Sequence, residues 1–161
     1  VGDIVELARQ GEQGATDAFE DVRLDELAGE AVSRAQRHAS GVQFKTDLQP
    51  CLVKGSPQRL DRALANLLDN AAKWSPKDKP VEVIVRDREL TVVDYGPGFD
   101  TEDLPFVFDR FYRADAARRM PGSGLGLAIV RQVCEAHGAS VTAENANGGG
   151  ARLRVSFLED S

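Results

Sequence analysis

Apolar positions along the chain recur with two periods, one helical and one alternating. In LDELAGEAVSRAQRHA, Leu24, Leu27, Ala28, Ala31, Val32 and Ala35 fall at helical spacing, with Asp25 and Glu26 in the first turn where a helix dipole favours acids. Leu60, Ala63, Leu64, Leu67, Leu68 and Ala71 form a second stripe, which predicts a buried helix face from about Gln58 to Trp74. A third helix is expected over LGLAIVRQVCEAHG, closed by the C-terminal glycine signal at Gly138. Period-two stretches predict strands at Val42 to Leu48, VEVIVRD, LTVVD, SVTAEN and ARLRVSF, with shorter extended pieces at Phe19 to Arg23 and Cys51 to Val53. Arg88 and Glu89 are expected in the turn between VEVIVRD and LTVVD, and NGGG in the final hairpin. The last strand puts Ala151, Leu153, Val155 and Phe157 on one face and Arg152, Arg154 and Ser156 on the other, as a sheet with one solvated side requires. About three helices and several mostly antiparallel strands predict a two-layer α/β sandwich, a mixed sheet with the helices on one face.

Two regions break the pattern. VGDIVELARQ reads as the tail of a helix, through Ile4, Val5, Leu7 and Ala8, and GEQGATDAFED reads as a linker. From Tyr95 to Gly124 the chain is irregular, rich in proline and glycine, with the aromatic cluster FVFDRFYR inside it. Loops of that length in compact domains usually carry function.

The chain of 161 residues is one domain's worth, and its formal net charge of −6 argues against a nucleic-acid partner, whose phosphates demand a basic surface. No apolar run approaches the roughly 20 residues of a membrane span. Cys51 and Cys134 lie far apart and are expected as unpaired core thiols. His38 and His137 have no partners at metal-ligand spacing and are expected as solvated helix residues. The chain opens on Val1 and not on methionine, so a fragment of a longer protein is expected.

Chemistry enters with NLLDNAAKW. Asn is a poor helix former, yet Asn66 and Asn70 stand four apart inside the predicted helix, with Lys73 three further on. All three share one face beside the buried stripe. Amide oxygens suit Mg²⁺ when a substrate's phosphates supply the charge, and a lysine supplies a point charge for the same phosphates. A merely solvated polar face is the alternative. Asp94 ends the strand before YGPGF and can accept a hydrogen bond from an exocyclic amine such as adenine's. Gly96 and Gly98 would let a ligand approach the backbone, and an ordinary turn is the alternative. Gly122, Gly124 and Gly126 put free N–H groups at the start of the third helix, where anions bind. GSGLGL does not directly follow a strand and lacks a Lys-Ser/Thr ending, so neither the dinucleotide fingerprint nor a P-loop applies.

In this order, NLLDNAAKW, DYGPG, FDRFYR and GSGLGL resemble the N, G1, F and G2 boxes of the ATP-binding catalytic domain of sensor histidine kinases, within the superfamily of gyrase, heat-shock chaperone and mismatch-repair ATPases. The resemblance covers about residues 19 to 158 and implies the ATP-binding fold of that superfamily. By it, Asn70 would ligate the Mg²⁺ that bridges ATP phosphates, Asn66 would assist transfer, and Lys73 would contact phosphate. Trp74 would pack near the adenine, and Asp94 would take its amino group with Gly96 and Gly98 alongside. Phe108 and Phe111 would anchor a lid spanning about residues 101 to 123. Arg118 and Arg119 are candidate γ-phosphate contacts in that lid. Gly122, Gly124 and Gly126, with Ser123 and Leu125 between them, would meet the phosphates.

The resemblance also implies a division of labour. Hydrolytic relatives place a glutamate four residues before the metal-binding asparagine, where this chain has Asn66, and an amide cannot serve as a general base. Phosphotransfer is therefore expected over rapid hydrolysis. Neither His38 nor His137 matches the family's phosphoacceptor, which is followed by an acidic residue. Residues 1–18 are then expected as the end of a dimerisation helix plus linker, and 19–161 as the kinase domain. The acceptor histidine, a homodimeric dimerisation domain and an inner-membrane sensor would lie in the missing part, with the kinase domain cytoplasmic and a response regulator as the final phosphate acceptor. An ATPase performing conformational work and a non-catalytic nucleotide-binding module are the rival readings.

Overall fold

The computed structural model describes residues 19–38, 41–76, 78–99, 101–109, 126–146 and 149–157. In chain order they form β1 (Glu20–Arg23), α1 (Leu24–His38), β2 (Phe44–Leu48), β3 (Leu52–Gly55), α2 (Pro57–Trp74), β4 (Val81–Arg86), β5 (Glu89–Val93), a 3-10 helix (Thr101–Phe106), α3 (Gly126–Ala136), β6 (Ser140–Asn145) and β7 (Ala151–Ser156). The N-terminal helix tail and linker, and most of the expected lid, lie outside the described residues.

The main sheet has the order β2-β4-β5-β7-β6. Its one parallel pair is β2 with β4, reached through β3 and α2, and the other pairs are antiparallel. Alternation sets the buried face. Val85, Leu90, Val155 and Val141 lie in one cross-strand row, and Val83, Val92, Leu153 and Ala143 in the next. These rows pack under the helices with Leu24, Leu64, Leu67, Leu68 and Ile129 in a single apolar cluster. The expected α/β sandwich, helices on one face of a mostly antiparallel sheet, is the fold. The opposite face is solvated and carries charge pairs such as Arg86–Asp47 at 3.0 Å and Arg154–Glu89 at 3.1 Å.

β1 and β3 stand apart as a separate antiparallel ladder, a detail the short apolar stretches did not reveal. The β4–β5 turn falls one residue earlier than expected. It is made by Asp87 and Arg88, both with positive φ (53° and 63°), and Glu89 already pairs with Arg86. Two left-handed residues give the tight turn whose twist matches that of the flanking strands.

α2 is the spine of the domain. All six residues of the predicted stripe are buried. Ser56 caps its N-terminus, its Oγ accepting the Arg59 N–H at 3.4 Å, and Pro57 follows at the first helical position. At the other end the Ser75 N–H donates to the Ala71 carbonyl at 3.0 Å. Cys51 and Cys134 are both buried and unpaired, and burial pushes the Cys134 thiol up to about 12. His38 is exposed at the end of α1. His137 departs from expectation: it is half-buried behind α3, and both ring nitrogens are hydrogen-bonded. Among the described residues, no helix is long and apolar enough to cross a membrane.

Candidate functional site

The polar face of α2 points between α3 and the loop after β5. Asn66 is half-buried, and its Nδ2 donates to the Arg62 carbonyl one turn back at 2.9 Å. That bond fixes the amide's orientation and turns Oδ1 outward. A Cβ placed on Gly126 would lie 3.3 Å from that oxygen, so the first residue of α3 sits directly on Asn66. One turn on, Asn70 Nδ2 is buried without a hydrogen-bond partner among the described residues. A buried donor left unpaired costs about 1–3 kcal/mol, and a bound acceptor oxygen would recover it. Lys73 is exposed beyond it.

The far end of α2 meets the loop that follows β5. A Cβ on Gly96 would fall 2.4 Å from the Trp74 carbonyl oxygen, so the loop backbone packs flat on the last turn of the helix. Gly98 has φ +76°, and a Cβ there would meet Asn145 Oδ1 at 2.7 Å. Both glycines thus have a reason within the protein itself, close packing of backbone, besides any ligand. Asp94 is buried, 2% exposed. Its Oδ1 accepts the Gly96 N–H at 2.9 Å and the Ala151 N–H at 3.4 Å. Burial raises the carboxyl's pKa, and the two N–H donors from Gly96 and Ala151 pull it back down.

Asn66 and Trp74 are eight residues apart on one helix, about 12 Å of axial rise. α2 therefore holds two ends of a site. One end offers an amide oxygen and a helix N-terminus, which suit phosphate. The other offers a buried carboxylate on the loop that packs against the Trp74 backbone, which suits a base with an exocyclic amine. Phe108 is buried in the core cluster together with Val107. The next residue, Asp109, accepts from Arg131 of α3 at 3.2 Å, so the start of the aromatic motif is tied to the helix that follows the glycine loop.

Of the residues expected at the site, the structure brings Asn66, Asn70, Trp74, Asp94, Gly96 and Gly126 together around α2. Phe111, Arg118, Arg119, Gly122, Ser123, Gly124 and Leu125 lie outside the described residues. Asn145 and Gly150 were not anticipated from sequence. Gly150, at φ +96°, brings the hairpin backbone so close that a Cβ would meet the Asp94 carbonyl oxygen at 2.0 Å. Its place in NGGG was a turn signal, but nothing local pointed to Asp94.

The donor set fits Mg-ATP. Asn66 and Asn70 offer neutral amide groups, the Nδ2 of Asn70 unpaired, and the first residue of α3 adjoins Asn66. Among the described residues no cluster of three or more His, Cys, Asp or Glu side chains could hold a cation without phosphates.

Comparison with known proteins agrees with an ATP-binding domain. Residues 55–161 match the family of histidine kinase-, DNA gyrase B- and HSP90-like ATPases. The chain is 43% identical over 155 residues to the signal transduction histidine-protein kinase/phosphatase MprB of Mycolicibacterium smegmatis, covering 93% of this chain and 31% of that protein. It thus spans about a third of the length of the curated relatives it matches. Among solved structures, a mycobacterial sensor histidine kinase MprB superposes with a TM-score of 0.79 at 39% identity, over 84% of this chain and 95% of that one. The ATP-binding domain of PrrB from Mycobacterium tuberculosis superposes with a TM-score of 0.73 at 28% identity, over 90% and 100%. With the ordered boxes in the sequence, the sandwich fold and a two-ended site on α2, the chain belongs to the histidine kinase-, DNA gyrase B- and HSP90-like ATPase family, as the ATP-binding catalytic domain of a sensor histidine kinase.

Proposed function

We propose that this domain binds Mg-ATP along α2 and transfers the γ-phosphoryl group to a histidine on a dimerisation domain outside the chain. The observation that carries this reading is the placement of Asn66 Oδ1 against the start of α3 while Gly96 and buried Asp94 close on the other end of the same helix. Asp94 would accept the adenine amino group through its carboxylate. Trp74 would lie beside the base. Asn70 would hold the metal through its Oδ1 and a phosphate oxygen through its unpaired Nδ2, with Lys73 adding a positive charge. Mg²⁺, when bound, would neutralise phosphate charge.

In the transfer, an imidazole nitrogen of the acceptor histidine forms a bond to the γ-phosphorus. The bond from that phosphorus to the β–γ bridging oxygen breaks, and ADP leaves. Little covalent work falls to the protein, so positioning and charge stabilisation do most of it. Asn66 orients a phosphate oxygen and cannot take a proton from water, which favours transfer to a placed nucleophile over hydrolysis. Residues 101–123 would form the lid over the nucleotide, anchored by Phe108 and Phe111, with Arg118, Arg119 and the glycine loop from Gly122 to Gly126 closing on the phosphates. Residues 1–18 would lead back to the dimerisation helices. The whole protein would be a homodimeric membrane sensor with this domain in the cytoplasm, passing its phosphate to an aspartate of a response regulator.

Titration of ATP with and without Mg²⁺, followed by phosphotransfer to a histidine-bearing helical hairpin, tests the reading. Saturable binding that strengthens with Mg²⁺, and label appearing on the hairpin, are the expected results. Binding without any transfer would leave a nucleotide-binding module and remove the kinase assignment.

A further inference from the structure

The segment Asp94–Phe99, which carries the base-recognising carboxylate, is held at both ends by one rung of the β6–β7 hairpin. Asn145 and Ala151 are directly opposed in that hairpin. Ala151 takes the first residue: its carbonyl accepts the Asp94 N–H at 3.0 Å, and its N–H reaches Asp94 Oδ1 at 3.4 Å. Asn145 takes the last: its Oδ1 accepts the Phe99 N–H at 2.8 Å and its Nδ2 donates to the Phe99 carbonyl at 2.8 Å. A side-chain amide with both its groups on one residue's backbone mimics a strand neighbour, and it needs an acceptor and a donor at once. Gly98 fits under that amide because it has no Cβ. The Ala146 N–H to Gly150 carbonyl bond, at 2.9 Å, braces the rung from the hairpin side.

We propose that Asn145 is a positioning residue for base recognition, acting through the Phe99 backbone to hold the segment that aims Asp94. The proposal rests on the ATP-site reading above. Its physical content is selectivity. A carboxylate in a fixed place accepts from adenine's amine and opposes guanine's carbonyl oxygen, whereas a carboxylate on a loosened loop discriminates less. Asn145 is itself exposed, so its replacement removes little from the core.

The test measures ADP and GDP dissociation constants for the wild-type chain, N145A, N145D and D94N, with thermal unfolding alongside. N145A is expected to weaken ADP binding by about fivefold, the scale of a lost hydrogen-bonded contact, and to shrink the ADP-over-GDP preference. N145D keeps the volume and the acceptor but, when ionised, has no donor for the Phe99 carbonyl. At pH 7 its ADP binding and its ADP-over-GDP preference should both fall below wild type's. A merely structural role would lower the unfolding temperature without changing selectivity. Unchanged ADP affinity and selectivity in N145A, or a uniform loss for both nucleotides, overturns the proposal. So does N145D that keeps wild-type ADP affinity and selectivity at pH 7, which decides the matter even if N145A folds poorly. Loss of binding in D94N with N145A behaving as wild type removes the role of Asn145 alone. A folded wild-type chain that binds no ADP overturns the site reading and the proposal together.

Discussion

Nε2 of His137 accepts the backbone N–H of Ser56 at 3.0 Å, joining the end of α3 to the cap of α2 across 81 residues of sequence. The other ring nitrogen, Nδ1, donates to the Val133 carbonyl at 2.8 Å, so the ring is neutral and its tautomer is fixed. Phe19, at the entrance to β1, stacks on the imidazole at 4.6 Å between centroids. Gly55 lies so close that a Cβ would meet His137 Cδ2 at 2.5 Å. The histidine thus ties together the chain's entry, the β3–α2 junction and the end of α3.

Stability should depend on pH through that bond. Burial lowers the His137 pKa most, and the Arg59 charge lowers it further, against the Val133 hydrogen bond that raises it. A depressed pKa in the folded state means that the unfolded chain binds the proton more readily. The contribution is fully present above the unfolded value of about 6.5 and is lost as pH falls through the folded one. Protonation would also set an N–H against the Ser56 N–H. Wild-type protein should lose about 1 kcal/mol more than H137Q over this window, read by urea unfolding at several pH values. Parallel curves for the two proteins would remove His137 as the source.

Asp94 should trade stability for recognition. Its raised pKa shows that ionisation is disfavoured where it sits, despite the N–H groups of Gly96 and Ala151. The sign is opposite to that of His137: the stability linked to Asp94 is fully present below the unfolded carboxyl value and is lost as pH rises through the raised one. D94N keeps an oxygen to accept both N–H bonds and carries no charge. We expect it to be as stable as wild type or more so at neutral pH, and to bind ATP at least tenfold more weakly, an order of magnitude set by one charge-assisted hydrogen bond. Calorimetric titration beside thermal melting checks both halves. Retained affinity would take Asp94 out of the base site.

Asn70 should be the residue through which Mg²⁺ acts. In N70A the unpaired buried Nδ2 is gone, which relieves the apo protein, while the metal loses a protein oxygen. ATP affinity in N70A is expected to be insensitive to Mg²⁺. A Mg²⁺ response equal to wild type's would place the metal on other ligands.

Gly96 should tolerate no side chain. The Trp74 carbonyl that a Cβ would meet at 2.4 Å is helix backbone and cannot swing aside. G96A should cost about 1–3 kcal/mol through the forced separation of loop and helix, and it should weaken ATP binding as the two ends of the site move apart. Chemical denaturation and nucleotide titration read the two effects. A neutral G96A would mean that the loop and α2 are not in van der Waals contact.

Much of this was legible in the chain. The stripe from Leu60 to Ala71 is buried as its period requires, because a helix in water gains little stability except by covering one face. The alternation in ARLRVSF identified the strand and its inner face, since a one-residue slip would expose Leu153 and Val155. Asn66 and Asn70 stood out for the same reason, as residues that helix propensity alone would not choose.

Partner choice was not legible. Nothing in EAHGAS distinguishes a solvated histidine from one that accepts a hydrogen bond from Ser56, and nothing in AENANG says that Asn145 will grip Phe99. The ladder of β1 with β3, the parallel pairing of β2 with β4 and the closeness of Gly96 to Trp74 are of the same kind. Among the described residues, the sequence by itself determined the three α-helices, most of the strands and the buried helix stripes, because those follow from local period and apolar burial. Tertiary structure decided which distant backbone groups meet, because a hydrogen bond of 3 Å depends on how whole elements pack and not on the residues beside it.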